Sequence, residues 1–218
     1  MAQDDGSDAR PPIPLAELAA GSDLVALVQV LDTDYEYVRG FPSGGTAFLR
    51  VLIPYKVGRA QEDIIEVYDE GLYEHECYFE NPPVGEEGRR YLVFLRFSEE
   101  VEDQYNGHGH GCKLPVLVSR SNRYVLRFPP KGIALSDDLE ELAEPTDFAD
   151  RHALVEEEDL SPAERDDLLA RGLLEPAGER FRYTHGVELG SVRTLMGEKN
   201  LTRDRFLRRP VQASRQNP

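Results

Sequence analysis

Short apolar runs, separated by turn-forming and charged stretches, dominate the first 130 residues of this chain. Runs of this length that are rich in Val, Leu, Ile and aromatic residues predict β-strands. We predict five or six strands, at residues 24–31, 46–54, 64–68, 91–97, 114–118 and 124–128. Residues 24–31 are nearly all apolar, which is typical of a strand buried on both faces or rolled into a barrel. The pattern therefore predicts a mainly β unit, a barrel or a sandwich.

Turn chemistry separates the first two predicted strands. Phe41-Pro42-Ser43-Gly44-Gly45 combines proline, serine and two glycines, which are the residues that turns prefer. We therefore place the turn there. A short helix is predicted just before the first strand, at residues 14–20, with Leu15, Leu18 and Ala19 on one face and Gly21 ending it.

The pattern becomes helical after Pro130. The clearest helix start is Ser161, an N-cap residue that is followed by Pro162 and, three positions on, by Glu164. Further helices are predicted at residues 135–143, 187–196 and 201–208. We divide the chain into a disordered lead (1–13), a barrel (14–130) and a helical extension (131–218). The sequence leaves open whether the extension covers the barrel or forms a domain of its own.

Composition narrows the classes of partner. The 218 residues include 25 Lys and Arg against 41 Asp and Glu, for a net charge of −16. A nucleic-acid-binding protein must neutralise phosphates with cations, so we expect no nucleic-acid partner. No apolar run approaches the ~20 residues that cross a bilayer as a helix, so we expect no membrane span.

The first residues bear on location. Residues 1–11 are polar and acidic and contain no apolar core of a signal peptide. They resemble the mature start of an exported protein from which a leader has been removed. We therefore expect a secreted or periplasmic protein.

The chain has two cysteines, Cys77 and Cys112, and no CxxC pair. A structural disulfide would place the protein in an oxidising compartment. Two free thiols are the alternative, because two cysteines alone do not fix a redox compartment.

Three histidines lie near these cysteines in the sequence. Alternate residues of an extended strand share a face, so His75 accompanies Cys77, and His108 and His110 accompany Cys112. Imidazole and thiolate are ligands of Zn²⁺ and copper, so His75, His108 and His110 form a candidate metal site. The competing interpretation is a disulfide with the histidines on a solvated Gly-rich loop.

The order of features over residues 15–128 resembles the netrin-like, or tissue-inhibitor-of-metalloproteinase-like, OB-fold module. The resemblance rests on the strands at 24–31, 47–57 and 64–68, and on Cys77 preceding Gly88-Arg89-Arg90-Tyr91-Leu92-Val93-Phe94-Leu95. It implies a five-stranded closed β-barrel with a short flanking helix, and it favours a Cys77–Cys112 disulfide. Inhibitors of this family bind the zinc of a protease through an N-terminal cysteine. This chain has no cysteine before Cys77.

Catalytic motifs find little support in the sequence. There is no Walker A loop, GxGxxG, HExxH or GxSxG motif, so we predict no catalytic residues and no resident cofactor. We expect a non-enzymatic, exported binding protein with a protein partner, approached through the barrel rim and the N-terminal segment. Tyr35 and Tyr37 share a strand face and either line a ligand groove or pack in the core and at the rim. The alternative functions are a metal-binding protein or metal-dependent enzyme that uses the three histidines with Zn or Cu, and a structural envelope protein.

Overall fold

The computed structural model describes residues 11–58, 63–71, 77–99 and 103–202. Within these ranges the chain has three α-helices and twelve β-strands. The helices are α1 (Leu15–Gly21), α2 (Pro162–Ala170) and α3 (Leu189–Met196). The strands of the first half are β1 (Leu24–Val38), β2 (Phe41–Val57), β3 (Ile64–Glu70), β4 (Arg90–Phe97), β5 (Gln104–Gly107), β6 (Lys113–Val118) and β7 (Tyr124–Phe128). Those of the second half are β8 (Glu144–Pro145), β9 (Leu154–Val155), β10 (Leu174–Ala177), β11 (Arg180–Tyr183) and β12 (His185–Glu188).

Five strands close into a barrel in the order β1-β2-β3-β5-β4, and β4 returns to pair with β1. All of these pairings are antiparallel except that of β3 with β5. The predicted five-stranded, OB-like closed barrel is confirmed. The same sheet then continues from β4 through β6, β7, β12 and β8.

The core has two layers because β1 and β4 are buried on both faces. Alternate residues such as Val28 and Val93 point into the barrel with the cysteines. The intervening residues, including Leu27 and Phe94, face outward and pack with α1, α3 and the second half of the chain. This two-sided burial explains why the run at 24–31 carries almost no polar residue.

The second half joins the same sheet. Strand β12 pairs with β7, so a strand from beyond residue 130 extends the sheet that forms the barrel. The helix predicted after Ser161 is confirmed as α2, and the Ser161 hydroxyl accepts a 3.2 Å hydrogen bond from the N–H of Glu164. Three short strands, β9, β10 and β11, form a separate small sheet.

The helix predicted at residues 135–143 is reduced to a 3₁₀ turn at Glu140–Leu142. Its first part is extended because Leu135 forms a parallel bridge with Ile13, and the N–H of Ser136 donates to the carbonyl of Ile13 at 3.1 Å. Asp137 accepts a 2.6 Å hydrogen bond from the N–H of Leu15 at the start of α1. Ile13, which the sequence placed in the lead, is thus buried.

Two other predicted helices differ from the structure. The segment at 187–196 begins as the end of β12 and becomes helical at Leu189. Most of the segment at 201–208 lies outside the described residues. No helix in the described ranges has the length and apolarity needed to cross a membrane.

Candidate functional site

A disulfide joins Cys77 to Cys112, with 5.7 Å between their Cα atoms. It links the segment before β4 to the residue that precedes β6. The predicted disulfide is therefore present, and both cysteines are buried in the barrel core. Gly107 lies against the bond: a Cβ at this position would be 2.8 Å from the Cβ of Cys77 and 3.5 Å from that of Cys112.

Asp69 holds the first cysteine in place. Its carboxylate accepts hydrogen bonds from the N–H of Cys77 and, at 3.0 Å, from the N–H of Glu70. Burial raises the pKa of Asp69, and the two backbone hydrogen bonds oppose this by stabilising the charged form. This carboxylate is thus engaged in fixing backbone at the end of β3.

The histidines do not assemble a described metal centre. The rings of His108 and His110 are tilted 30° to each other with centroids 5.6 Å apart, and Nδ1 of His108 accepts a 3.3 Å hydrogen bond from the N–H of His110. His75 lies outside the described residues. Within the part of the chain that the structure describes, no group of three or more His, Cys, Asp or Glu side chains could hold a metal ion. The disulfide removes both thiolates, so the site stays a prediction that rests on histidines alone.

The turn between β1 and β2 lies at Arg39 and Gly40, not at the predicted Phe41–Gly45. Both turn residues have positive φ, 53° and 87°, as a two-residue type I′ hairpin requires. Gly44 and Gly45 instead pair within strands, and a Cβ on Gly45 would lie 2.1 Å from the carbonyl oxygen of Asp34. The two glycines therefore allow β1 and β2 to approach closely. From the sequence alone, their turn propensity suggested a turn instead.

Three large apolar side chains are exposed around this turn. Tyr37 is 59% exposed, Val38 48% and Phe41 67%. Strand β3 pairs with β2 only from Gly44 to Arg50, so residues 37–42 project beyond the third strand. We call residues 37–41 the hairpin tip. Sequence reasoning missed it because the Pro–Gly-rich stretch that follows looked like the turn itself.

The base of the hairpin is fixed to the segment that follows Cys77. The hydroxyl of Tyr35 accepts a 3.0 Å hydrogen bond from the N–H of Phe79, and the Tyr35 ring meets Tyr78 edge to face with centroids 5.1 Å apart. Burial raises the pKa of Tyr35, so the hydroxyl is neutral at ordinary pH. Of the two predicted groove tyrosines, Tyr35 therefore packs at the rim. Tyr37 is exposed, after a register shift between Glu36 and Tyr37.

A cleft of about 620 Å³ lies elsewhere, between the loop before β4 and the turn at residues 149–152. Its charged groups pair with one another: Arg90 contacts Glu87 at 2.5 Å and Asp150 at 3.4 Å, and Arg151 pairs with Glu86. Because these charges are already matched, the cleft offers weak attraction for a charged ligand.

Comparisons with protein-family models, curated proteins and solved structures found no match for this chain. The netrin-like resemblance therefore stays a prediction from the sequence.

Proposed function

We propose that this chain is an exported, non-enzymatic binding protein that engages a protein partner through the hairpin tip. The observation that carries the proposal is the cluster of exposed Tyr37, Val38 and Phe41 around a tight turn. Isolated apolar residues are normal on protein surfaces, but a contiguous group at the end of a projecting hairpin is typical of a contact site. Tyrosine and phenylalanine are also enriched in the cores of interfaces.

The apolar area of the tip sets the energy available for binding. Full burial of a side chain of this size contributes about 1.5–3 kcal/mol, so three such residues supply on the order of 5 kcal/mol before entropic costs. A few residues with this much binding energy are enough to anchor an interface. A partner with a concave apolar pocket would match the tip.

The attachment of the hairpin favours binding. The strands are paired as far as Val38 and Phe41, and Tyr35 ties the base to Phe79. A contact loop that is already ordered loses less conformational entropy on association. The geometry thus supports a preformed contact site.

Charge defines the partner further. Glu36 and Asp34 lie exposed beside the apolar cluster on β1, in a chain of net charge −16. Opposite charge at the rim of an interface speeds association and disfavours wrong partners. We therefore propose a partner whose apolar pocket is bordered by Lys or Arg.

Two further observations support an exported protein with a contact site at the barrel rim. The disulfide is typical of an oxidising compartment such as the periplasm or the extracellular space. The closed barrel is the fold that the netrin-like resemblance implies, and the proposed contact site lies at its rim. The N-terminal segment, the other contact expected from the sequence, falls largely outside the described residues.

Site-directed cross-linking tests the proposal. A photoreactive phenylalanine analogue is incorporated at position 41, in place of Phe41, while cells express the protein. In the matched control the analogue replaces Val84, which is 104% exposed on a different loop. We expect a discrete protein adduct from position 41 and none from position 84. Excess unlabelled wild-type protein should suppress the adduct, whereas a Tyr37→Ser, Val38→Ser, Phe41→Ser triple variant should not.

Equal cross-linking at the two positions, or an adduct that the triple variant suppresses as well as wild type, would refute the proposal. Light scattering of the purified chain separates a further outcome. If the adduct contains two copies of this chain, and light scattering shows a dimer that the triple variant does not form, the hairpin tip mediates self-association and not binding to a different protein.

A further inference from the structure

Two cationic side chains lie on one face of the sheet, beside the barrel opening. Lys113 is paired with Val93, and Pro115 with Tyr91, across β6 and β4. Val116 is paired with Leu126 across β6 and β7, so the next residue, Arg127, follows on the same face as Pro115. Because alternate residues of a strand share a face, Lys113 and Arg127 lie on the face that carries Tyr91.

Lys113 is held by aromatic rings and forms no ion pair with any residue that the structure describes. Its Nζ lies 4.7 Å from the centre of the Phe79 ring and 5.4 Å from that of Tyr91. Within the described ranges, no carboxylate lies within ion-pairing distance of it. Burial lowers the pKa of Lys113 to about 8; the nearby Glu80 and Asp69 oppose this shift, and Arg89 adds to it.

Arg127 likewise lies against an aromatic ring and forms no ion pair with the described residues. Its guanidinium lies 4.4 Å from the centre of the Tyr183 ring, and its Nε is buried without a hydrogen-bond partner. No carboxylate among the described residues pairs with it. Burial lowers its pKa, and the positive charge of Arg89 acts in the same direction on Arg127 as on Lys113.

The missing partners are informative because other arginines have them. Arg89 pairs with Glu80 at 2.8 Å, and Arg120 pairs with Asp147 at 2.7 Å. A desolvated cation without a partner is costly, and a group of two is rare unless a ligand supplies the opposite charge. Among the described residues, Glu80 and Asp69 act on Lys113 from a distance, but neither forms an ion pair with it.

We propose that Lys113 and Arg127 form a binding site for an oxyanion: a phosphate, a sulfate or the carboxylates of a small organic acid. Arginine offers two parallel N–H donors that match two oxygens, and lysine adds a point charge. Burial raises the pKa of Tyr91 to about 12 and raises that of Tyr183, so both hydroxyls are neutral and do not repel an anion. The site is independent of the hairpin tip.

The rings define what else the ligand carries. Phe79, Tyr91 and Tyr183 present apolar faces around the two cations. An organic acid with a compact apolar or planar body would bury that body against the rings, whereas an inorganic ion would use the charges alone. Both Lys113 and Arg127 are only partly buried as whole residues, whereas the charged groups themselves are largely withdrawn from solvent.

Calorimetric titration with inorganic phosphate, sulfate and citrate, at constant ionic strength and pH 7, tests the site. We expect binding of at least one anion. Lys113→Met and Arg127→Met should each weaken it about tenfold, the effect of losing about 1.4 kcal/mol of interaction. Arg120→Met is the matched control, since Arg120 is exposed and already paired with Asp147. It should leave affinity unchanged. Preference for citrate identifies an organic acid, and preference for phosphate or sulfate an inorganic ion.

A thermal readout separates lost binding from lost folding. Without anion, both methionine variants should unfold at or above the wild-type temperature, because each removes an unpaired, desolvated charge. The bound anion should raise the unfolding temperature of wild type and not that of either variant. If none of the three anions binds at about 10 mM, or if all three proteins bind equally, the site does not exist.

The pH dependence adds a further test. Sulfate keeps its charge between pH 6 and 10, so a change in its affinity reports on the protein. We expect sulfate binding to weaken as pH rises past about 8, where Lys113 loses its proton. The other charged groups that act on Lys113 are Glu80, Asp69 and Arg89. If the sulfate affinity does not change with pH, Lys113 does not contribute to the site.

Discussion

The hydroxyl of Tyr35 accepts a 3.0 Å hydrogen bond from the backbone N–H of Phe79. This contact joins the β1–β2 hairpin to the segment that begins at Cys77. The disulfide, the hairpin base and the aromatic rings beneath Lys113 therefore belong to one connected piece of structure.

Tyr35→Phe tests this connection. The substitution leaves the buried N–H of Phe79 without a partner, so we expect the free energy of unfolding to fall by about 1–2 kcal/mol. Urea denaturation measures the change. Tyr37→Phe is the control, since Tyr37 is 59% exposed and should change stability by less than about 0.5 kcal/mol. Equal effects of the two substitutions would contradict the proposed anchor.

Gly107→Ala should destabilise the barrel at the disulfide. The added Cβ would lie 2.8 Å from the Cβ of Cys77, so the cross-link or β5 must shift, at a cost of about 1–3 kcal/mol. Gly190→Ala is a matched control, because nothing lies within 4 Å of a Cβ at that position in α3. Helix propensity predicts that it is neutral or stabilising. Thermal unfolding compares the two variants, and similar losses would show that the space near Gly107 does not matter.

The disulfide predicts a simple thiol count. We expect no reactive thiol in denatured protein without reductant and two after reduction, measured with a thiol reagent. Cross-linking residues 35 positions apart restricts the unfolded chain, so Cys77→Ser with Cys112→Ser should cost about 4 kcal/mol. Two free thiols in the native isolate would contradict both the cross-link and the inferred compartment.

The metal hypothesis has a direct test. We expect Zn²⁺ and Cu²⁺ to leave the unfolding temperature of the oxidised protein unchanged. The disulfide occupies both sulfurs, and Nδ1 of His108 already accepts a hydrogen bond from the N–H of His110. Reduction should create metal affinity by releasing two thiolates. Stabilisation of the oxidised protein that disappears in His108→Ala or His110→Ala would instead support the metal-binding function.

Stability should rise with pH just above pH 8. The pKa of Lys113 is about 8 in the folded protein and 10.5 ordinarily, so between these pH values the unfolded chain binds more protons than the folded one. Raising the pH therefore disfavours the unfolded state, and the free energy of unfolding increases. The raised pKa values of Tyr91 and Tyr35 act in the opposite direction above about pH 10. Denaturation series at several pH values should show the rise in wild type and a smaller one in Lys113→Met. An identical slope in the two proteins would count against a desolvated lysine.

The sequence predicted the barrel class and four of its five strands because these signals are local, whereas β5, at Gln104–Gly107, was not among the predicted strands. The uninterrupted apolar runs that became β1 and β4 reflect burial on both faces, and Ser161-Pro162 specifies the start of α2 within a few residues. The disulfide followed from the family resemblance and not from spacing.

Other features depend on contacts distant in the sequence. Strand β11, Arg180–Tyr183, is short and charged, and it is a strand only because β10 and β9 flank it. The segment at 135–143 has helical spacing, but its hydrogen bonds go to residues 13 and 15. The positions of Lys113 and Arg127, which form no ion pairs with the described residues, depend on the strand register, and a single sequence does not reveal that register.

The order of strands along the chain has a consequence for synthesis. The fifth barrel strand ends at Gly107, so the barrel can close on the ribosome while the residues of α3 are still being added. Until then, Leu27 and Phe94 on the outer face lack the cover that Val192 and Met196 later help to provide. The nascent barrel therefore exposes apolar surface that is prone to aggregation until a chaperone or the completed C-terminal half covers it.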